Sequence, residues 1–230
     1  MCGRSSLDTI KSEIAKIFKC AGVAFKGTSF NITPSQSITV VRKDSDTNKA
    51  VLMRWGLIPS WVKSLDSWKS LASPLSSTQG RVAQSIPRNL INARAETIEE
   101  KPSFRNGFKK RPCLIPVSGF YGWTKQKQPY YFHTDNPIFV LAGIWETWAD
   151  ADETIFSCTI LTTEAQGAIA DIHHRMPVVI PAEYYDLWLE NVEGRKELLE
   201  SLPETQLQLY PVSKTVNSPK NDSPDCIQPI

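Results

Sequence analysis

The chain has 230 residues, 41% of them hydrophobic and 22% charged, the balance of a folded globular protein rather than a disordered or fibrous one. No apolar run approaches the ~20 residues that a membrane span needs, and no signal peptide precedes Asp8 and Lys11, so an intracellular protein without membrane contact is expected. A net charge of +2 does not by itself announce nucleic acid. The charge is unevenly placed, however. Lys101, Arg105, Lys109, Lys110, Arg111, Lys125 and Lys127 share a stretch with no acidic residue, and 183–204 is acidic. Such a stretch suits either a polyanion or plain solvated surface. The five cysteines (Cys2, Cys20, Cys113, Cys158, Cys226) include no C-x-x-C pair. His133, His173 and His174 complete no zinc pattern with them, so a reducing compartment, no metal and no cofactor are expected.

The chain opens with Met1-Cys2-Gly3-Arg4. Removal of Met1, which a small second residue allows, leaves an α-amine with a pKa near ~7.7–8.0 and a thiol near ~8.5 on one residue. Such a 1,2-aminothiol condenses with an aldehyde: the amine forms an imine and the thiol closes a five-membered thiazolidine on it. The second step is intramolecular and gains from proximity. While Met1 stays attached, the Cys2 nitrogen is an amide and the imine cannot form. The bland alternative is a buried, inert cysteine.

Ile10, Ile14, Ile17 and Phe18 recur at helical spacing and predict an amphipathic helix over residues 7–19 with these residues in the core. Phe30–Pro34 reads as a loop, Ser37–Arg42 and Ala50–Trp55 as a hairpin. Arg54-Trp55-Gly56-Leu57-Ile58-Pro59-Ser60-Trp61 is an aromatic loop beside a cation, able to stack a base, although Trp55 reads better as core. Residues 64–89 form a Ser-rich stretch expected to be an exposed loop. Asn92–Thr97 is expected to enter a short helix through a Thr97/Glu100 capping box, where Arg94 can fork onto a phosphate. Alternatively, Asn92 and Glu96 only satisfy backbone groups there. Strands are expected at Pro112–Val117, Gly119–Trp123, Tyr130–His133, Ile138–Ile144, Ile155–Leu161, Val178–Ile180 and Leu207–Val212. Helices are expected at Glu164–Ala170, Pro181–Glu190 and Gly194–Ser201, and an extended tail over 217–230. Strands cluster centrally without βαβ alternation. That predicts an α+β fold: a single domain over 1–230 with a bent or barrel-like, mostly antiparallel sheet flanked by helices. No heptad pattern is present, so a monomer is expected.

Six ordered segments carry a resemblance: Met1–Arg4; Phe30–Pro34; Arg54–Pro59; Ile91–Thr97; Gly119-Phe120-Tyr121 with Trp123; and Asp171-Ile172-His173 with Arg175-Met176-Pro177. With them the chain resembles the SRAP family, the SOS-response-associated peptidase-like, abasic-site processing proteins, from Cys2 to the tail. The resemblance implies binding of single-stranded DNA and a covalent thiazolidine between Cys2 and the abasic-site aldehyde. It further implies that Asn92 hydrogen-bonds near the sugar and the amine, and that His173 moves a proton during ring opening. Arg4, Arg94 and Arg175 would hold phosphates; Pro34 and Trp61 would meet neighbouring bases. The sequence departs from the family pattern twice. Gly122 stands where the family usually has a Glu acid/base, whose loss commonly costs about 10²–10⁴ in the step served. His174 follows His173 where Asp is frequent. Glu96 is a candidate substitute carboxylate, although a structural role suits it better. Three readings stand: an abasic-site capturing enzyme, with lyase-type activity weakened at Gly122; an N-terminal-cysteine (auto)peptidase; and a weakened single-strand-binding module.

Overall fold

The computed structural model describes residues 3–70, 90–190 and 193–230. Strands in the first half are β1 (Ser5–Leu7), β2 (Cys20–Val23), β3 (Ser29–Ile32), β4 (Ser37–Asp44), β5 (Thr47–Trp55) and β6 (Asn92–Arg94). In the second half they are β7 (Pro112–Val117), β8 (Gly119–Trp123), β9 (Pro129–His133), β10 (Phe139–Ala149), β11 (Thr154–Glu164), β12 (Arg175–Pro177) and β13 (Gln208–Pro211). Six short helices accompany them: α1 (Lys11–Phe18), α2 (Leu65–Ser70), α3 (Arg105–Lys110), α4 (Gly167–Ile172), α5 (Tyr185–Leu189) and α6 (Arg195–Ser201).

The architecture is α+β around a closed five-strand barrel. Antiparallel neighbours run β11-β10-β7-β4-β5. A parallel pairing of β5 with β11, Arg54 opposite Ser157 and Trp55 opposite Cys158, joins the ends. Closure removes the exposed edges that an open sheet would present. Beside the barrel lies a second, wholly antiparallel sheet in the order β13-β9-β8-β1-β3.

Side-chain alternation sorts the strands into two cores. Val40, Trp55, Cys113, Ile115, Leu141, Cys158 and Ile160 belong to one cluster. Val41, Leu114, Val140, Ala142 and Ile144 belong to the other, together with Ile14, Phe18, Phe108 and Trp188 of the helices. Both faces of β7 are therefore buried, which explains its unbroken apolar run. Arg195 pins three of the helices together. It is 5% exposed. Its guanidinium donates to the carbonyls of Phe108, Lys109 and Glu190 and sits 5.7 Å from the ring centroids of both Phe108 and Trp188. Desolvation lowers its pKa to about 10, so it stays cationic at neutral pH.

Several expected elements move. The helix begins at Lys11, not residue 7, because the buried Ser5–Leu7 segment is claimed on both edges, by β3 and β8. Only Ile14 and Phe18 of its apolar stripe are core; Ile10 is 61% and Ile17 38% exposed, since a two-turn helix buries one i, i+4 line. Phe30 to Ile32, expected in a loop, belong to β3. The strand expected at Val178–Ile180 is Arg175–Pro177 instead, paired with Thr162–Glu164, and Val179 makes only an isolated bridge to Leu141. No capping box forms: Ala95–Thr97 is a 3-10 turn without a side-chain cap, because Asn92–Arg94 is drawn into the sheet by β11. Leu65–Ser70 is helical, and the remainder of the 64–89 stretch lies outside the described residues from 71. The tail contains 3-10 turns at Lys214–Asn217 and Pro224–Cys226 rather than running extended.

Candidate functional site

The C-terminal part of β11 is flanked on both sides by segments singled out from sequence. On one side β6 runs parallel to it, with Asn92 opposite Ile160 and Arg94 opposite Thr162. On the other β12 runs antiparallel, with Arg175 opposite Glu164 and Pro177 opposite Thr162. Arg175 ties the two sides together. Its guanidinium forks onto both oxygens of Glu96 at 2.8 Å and donates to the Thr162 carbonyl at 2.6 Å. That hydrogen bond holds the Glu96 carboxyl below its usual pKa. Stability from this depressed carboxyl is present above its unfolded pKa and fades as pH falls through the folded one. It is small, because the Glu96 side chain is 47% exposed. Glu96 is thus engaged as an ion-pair partner.

His173 follows α4 directly, and its N–H donates to the Ile169 carbonyl at 2.8 Å. The ring nitrogen Nδ1 faces the backbone of Arg175, 3.0 Å from the amide N and 3.2 Å from the carbonyl O. When unprotonated, Nδ1 accepts from the amide; when protonated, it donates to the carbonyl. Both states of Nδ1 are thereby served by one residue. Burial lowers the His173 pKa, the backbone hydrogen bond opposes this, and the neighbouring His174 and Arg175 charges lower it further. The two imidazoles stack at 4.4 Å and 24°. Replacing the neighbour by an anion reverses one of these effects, so His174→Asp is expected to raise the His173 pKa. An NMR titration of the imidazole checks this, and an unchanged or lower midpoint would refute the coupling.

Gly122 lies on β8, opposite Tyr130. A Cβ at this position would stand 2.9 Å from Cε2 of Phe132 and 3.5 Å from Cγ2 of Ile172, the residue before His173. Phe132 itself stacks on Phe120 at 4.9 Å and 7°. The same strand holds the beginning of the chain: Ser5 pairs with Phe120, and Tyr121 N–H donates to the Arg4 carbonyl at 3.0 Å. Ile172 packs against the apolar cluster that holds Phe120 and Phe132, so contacts run from Arg4 through β8 to Ile172–His173, and on through Arg175 to β11 and to Glu96 beyond β6.

The other candidates are more dispersed. Cys2 lies outside the described residues, two positions before Arg4. Arg94 is exposed, without hydrogen bond or ion pair among the described residues. Pro34 is locked beside β5: Ser35 N–H donates to the Trp55 carbonyl at 2.7 Å, and Arg54 donates to the Ser35 carbonyl and hydroxyl. Trp55 is wholly buried, and its indole N–H donates to the Ile91 carbonyl at 3.0 Å, coupling this loop to β6. Trp61 is 49% exposed. Its neighbour Val62 accepts from the Trp148 indole at 2.7 Å, toward the turn between β10 and β11, so Trp61 belongs to a different stretch from Arg175. Arg4 reaches inward, bonding Asn31 Oδ1 and the Val216 carbonyl, each at 2.6 Å. Asn31, 1% exposed, and Asn217 were not singled out from sequence as functional residues; their partners lie too far along the chain for spacing to reveal them. Among the described residues, no three His, Cys, Asp or Glu side chains are grouped to hold a metal ion, and no helix is long and apolar enough to cross a membrane.

The model of the family described as SOS response associated peptidase (SRAP) matches residues 1–219. The chain belongs to the SRAP family. It is 34% identical to the abasic site processing protein YoqW of Bacillus subtilis, across 99% of both chains. It is 28% identical to the abasic site processing protein HMCES of Pongo abelii, covering 88% of this chain and 65% of that one. Among solved structures, this SRAP chain is similar to a protein from Bacteroides thetaiotaomicron, with a TM-score of 0.80, 25% identity and full coverage of both chains. A Bordetella bronchiseptica protein, at a TM-score of 0.74 and 23% identity over 92% of this chain and 100% of that one, shares the fold.

Proposed function

We propose that this SRAP protein processes abasic sites, capturing them in single-stranded DNA through Cys2. After Met1 is removed, the Cys2 amine condenses with the aldehyde of the ring-opened deoxyribose and water leaves. The thiol then adds across the imine, its proton passing to nitrogen, and a thiazolidine closes. An abasic sugar is mostly a closed hemiacetal, so a proton must reach the ring oxygen before the aldehyde is available. His173 suits that role: with Nδ1 occupied by the Arg175 backbone, proton exchange with the sugar falls to Nε2. Asn92 is assigned to the sugar and the amine. Among the arginines, exposed Arg94 is the strongest phosphate ligand. Arg4 and Arg175, each held by internal partners, contribute charge from fixed positions. Pro34 and Trp61 are assigned to flanking bases. The observation that carries this reading is the convergence of Arg4, Gly122, His173, Arg175 and Asn92–Arg94 through one run of contacts.

A crosslinking time course tests it, using single-stranded DNA with one abasic site, resolved on a denaturing gel. The wild type is expected to give a heat-stable adduct that Cys2→Ala lacks. No adduct from the wild type, with DNA still shifted on a native gel, would overturn covalent capture and leave a binding module.

A further inference from the structure

Arg4 is fixed at both of its ends. Its carbonyl accepts from Tyr121 N–H at 3.0 Å, and its guanidinium is drawn into a polar knot built by residues far along the chain. At the centre of the knot is the buried Asn31 side chain. Its Oδ1 accepts from Arg4 Nη1 at 2.6 Å, and its Nδ2 lies 3.2 Å from the Val216 carbonyl, 3.0 Å from that of Ser218 and 2.5 Å from that of Asn221. The Asp222 carboxylate clamps the same strand, accepting from Ser29 Oγ and from the N–H groups of Phe30 and Asn31. Asn217 completes the arrangement. Its carbonyl lies 3.5 Å from Arg4 Nη2, and its Oδ1 accepts from the Trp123 indole at 2.7 Å, so the segment is tied to β8 beside Gly122.

We propose that Asn31 and the Val216–Asp222 segment are positioning residues for capture: they form a brace that fixes Arg4 and so confines the N-terminal nucleophile. The inference rests on the capture reading above. Its physical basis is tether length. Only Gly3 stands between Cys2 and Arg4, and two residue steps of chain span at most about 7 Å. A fixed Arg4 therefore restricts the amine and thiol to a small volume and raises their effective concentration at a bound aldehyde. A loosened Arg4 dilutes them without removing either reacting group. Asn31 spends its one acceptor on Arg4, and Asn217 spends its side chain on the strand that also receives the Arg4 backbone.

The test measures the crosslinking rate constant at saturating abasic single-stranded DNA, the half-saturating concentration, affinity for intact single-stranded DNA, and thermal stability. Asn31→Ala is expected to lower the saturating rate constant by about tenfold or more, with affinity for intact DNA falling far less, because Arg4 keeps its charge, and with the final adduct retained. Asn217→Ala is expected to do the same to a smaller degree. Asn217→Asp keeps the acceptor for Trp123 and is expected to restore the rate. A folded Asn31→Ala that reacts at the wild-type rate would overturn the brace. If Asn31→Ala does not fold, the Asn217 pair decides: equal rates for Ala and wild type, or no rescue by Asp, overturn it. A wild type that gives no adduct removes the capture reading and the brace with it; a wild type that captures normally beside unaffected variants removes the brace alone.

Discussion

Gly122→Glu is expected to accelerate the acid/base-dependent steps, adduct reversal and strand cleavage, by about 10²–10⁴, provided that Phe132 is trimmed in the same chain. The condition comes from packing. A Cβ at position 122 meets Phe132 Cε2 at 2.9 Å and Cζ at 3.4 Å. Phe132 is 1% exposed and stacked on Phe120, so it has no open direction in which to retreat. Glu alone therefore overpacks the sheet, at a cost of typically ~1–3 kcal/mol. Pairing it with Phe132→Leu removes the atoms in conflict and lets the carboxylate extend past Ile172, toward the segment that carries His173. Single-turnover adduct formation and release, with thermal melts of both variants, check this. A folded double variant with unchanged kinetics would show that position 122 is not where the acid/base belongs. The Phe132 ring fills the space beside Gly122, so a carboxylate there must displace or replace it.

The largest expected effect on stability lies far from the chemistry. Arg195→Ala should lower the unfolding free energy by about 3–5 kcal/mol in urea titrations, through lost charged hydrogen bonds and a cavity. The guanidinium serves carbonyls from the end of α3 and the end of α5 while standing at the start of α6. No carboxylate accompanies it among the described residues. Its charge is offset by carbonyl dipoles and by the faces of Phe108 and Trp188. Arg195→Lys has a single ammonium that cannot span these acceptors and should fall between. Folded Arg195→Lys is expected to capture DNA normally. A loss below about 1 kcal/mol for Arg195→Ala would show that the helices are held by their apolar faces alone.

Sequence patterning revealed those parts of the fold whose burial is continuous. Pro112–Val117 and Ile138–Ile144 are apolar on both faces and were readable as strands; Trp55 was readable as core, and it is fully buried. The segments that were misread are short and owe their conformation to partners. Ser5–Leu7 has no strand signature; it is a strand because β3 and β8 flank it. Asn92–Arg94 looks like a helix entrance until β11 offers a parallel edge. The candidate site shows the same division. Arg94 could be singled out by residue type and setting, His173 through the family resemblance, and Gly122 by its departure from the family pattern. The inward turn of Arg4 could not, because it depends on carbonyls 212 and 213 residues away.

That separation has a consequence for the order of events during synthesis. Translation delivers Arg4 and Asn31 first, whereas Val216 follows 212 residues after Arg4. Chains on the ribosome fold as their segments emerge. The barrel can close once β11 has left the tunnel, since β5 and β11 are its last ring partners. The knot around Asn31 cannot, and until Val216–Asp222 emerges the buried amide has none of its tail acceptors. A nascent chain can thus pair β1 with β3 and β8 while the Arg4 guanidinium and the Asn31 amide still lack their tail acceptors. The brace around Arg4 is completed last, after the rest of the protein is in place.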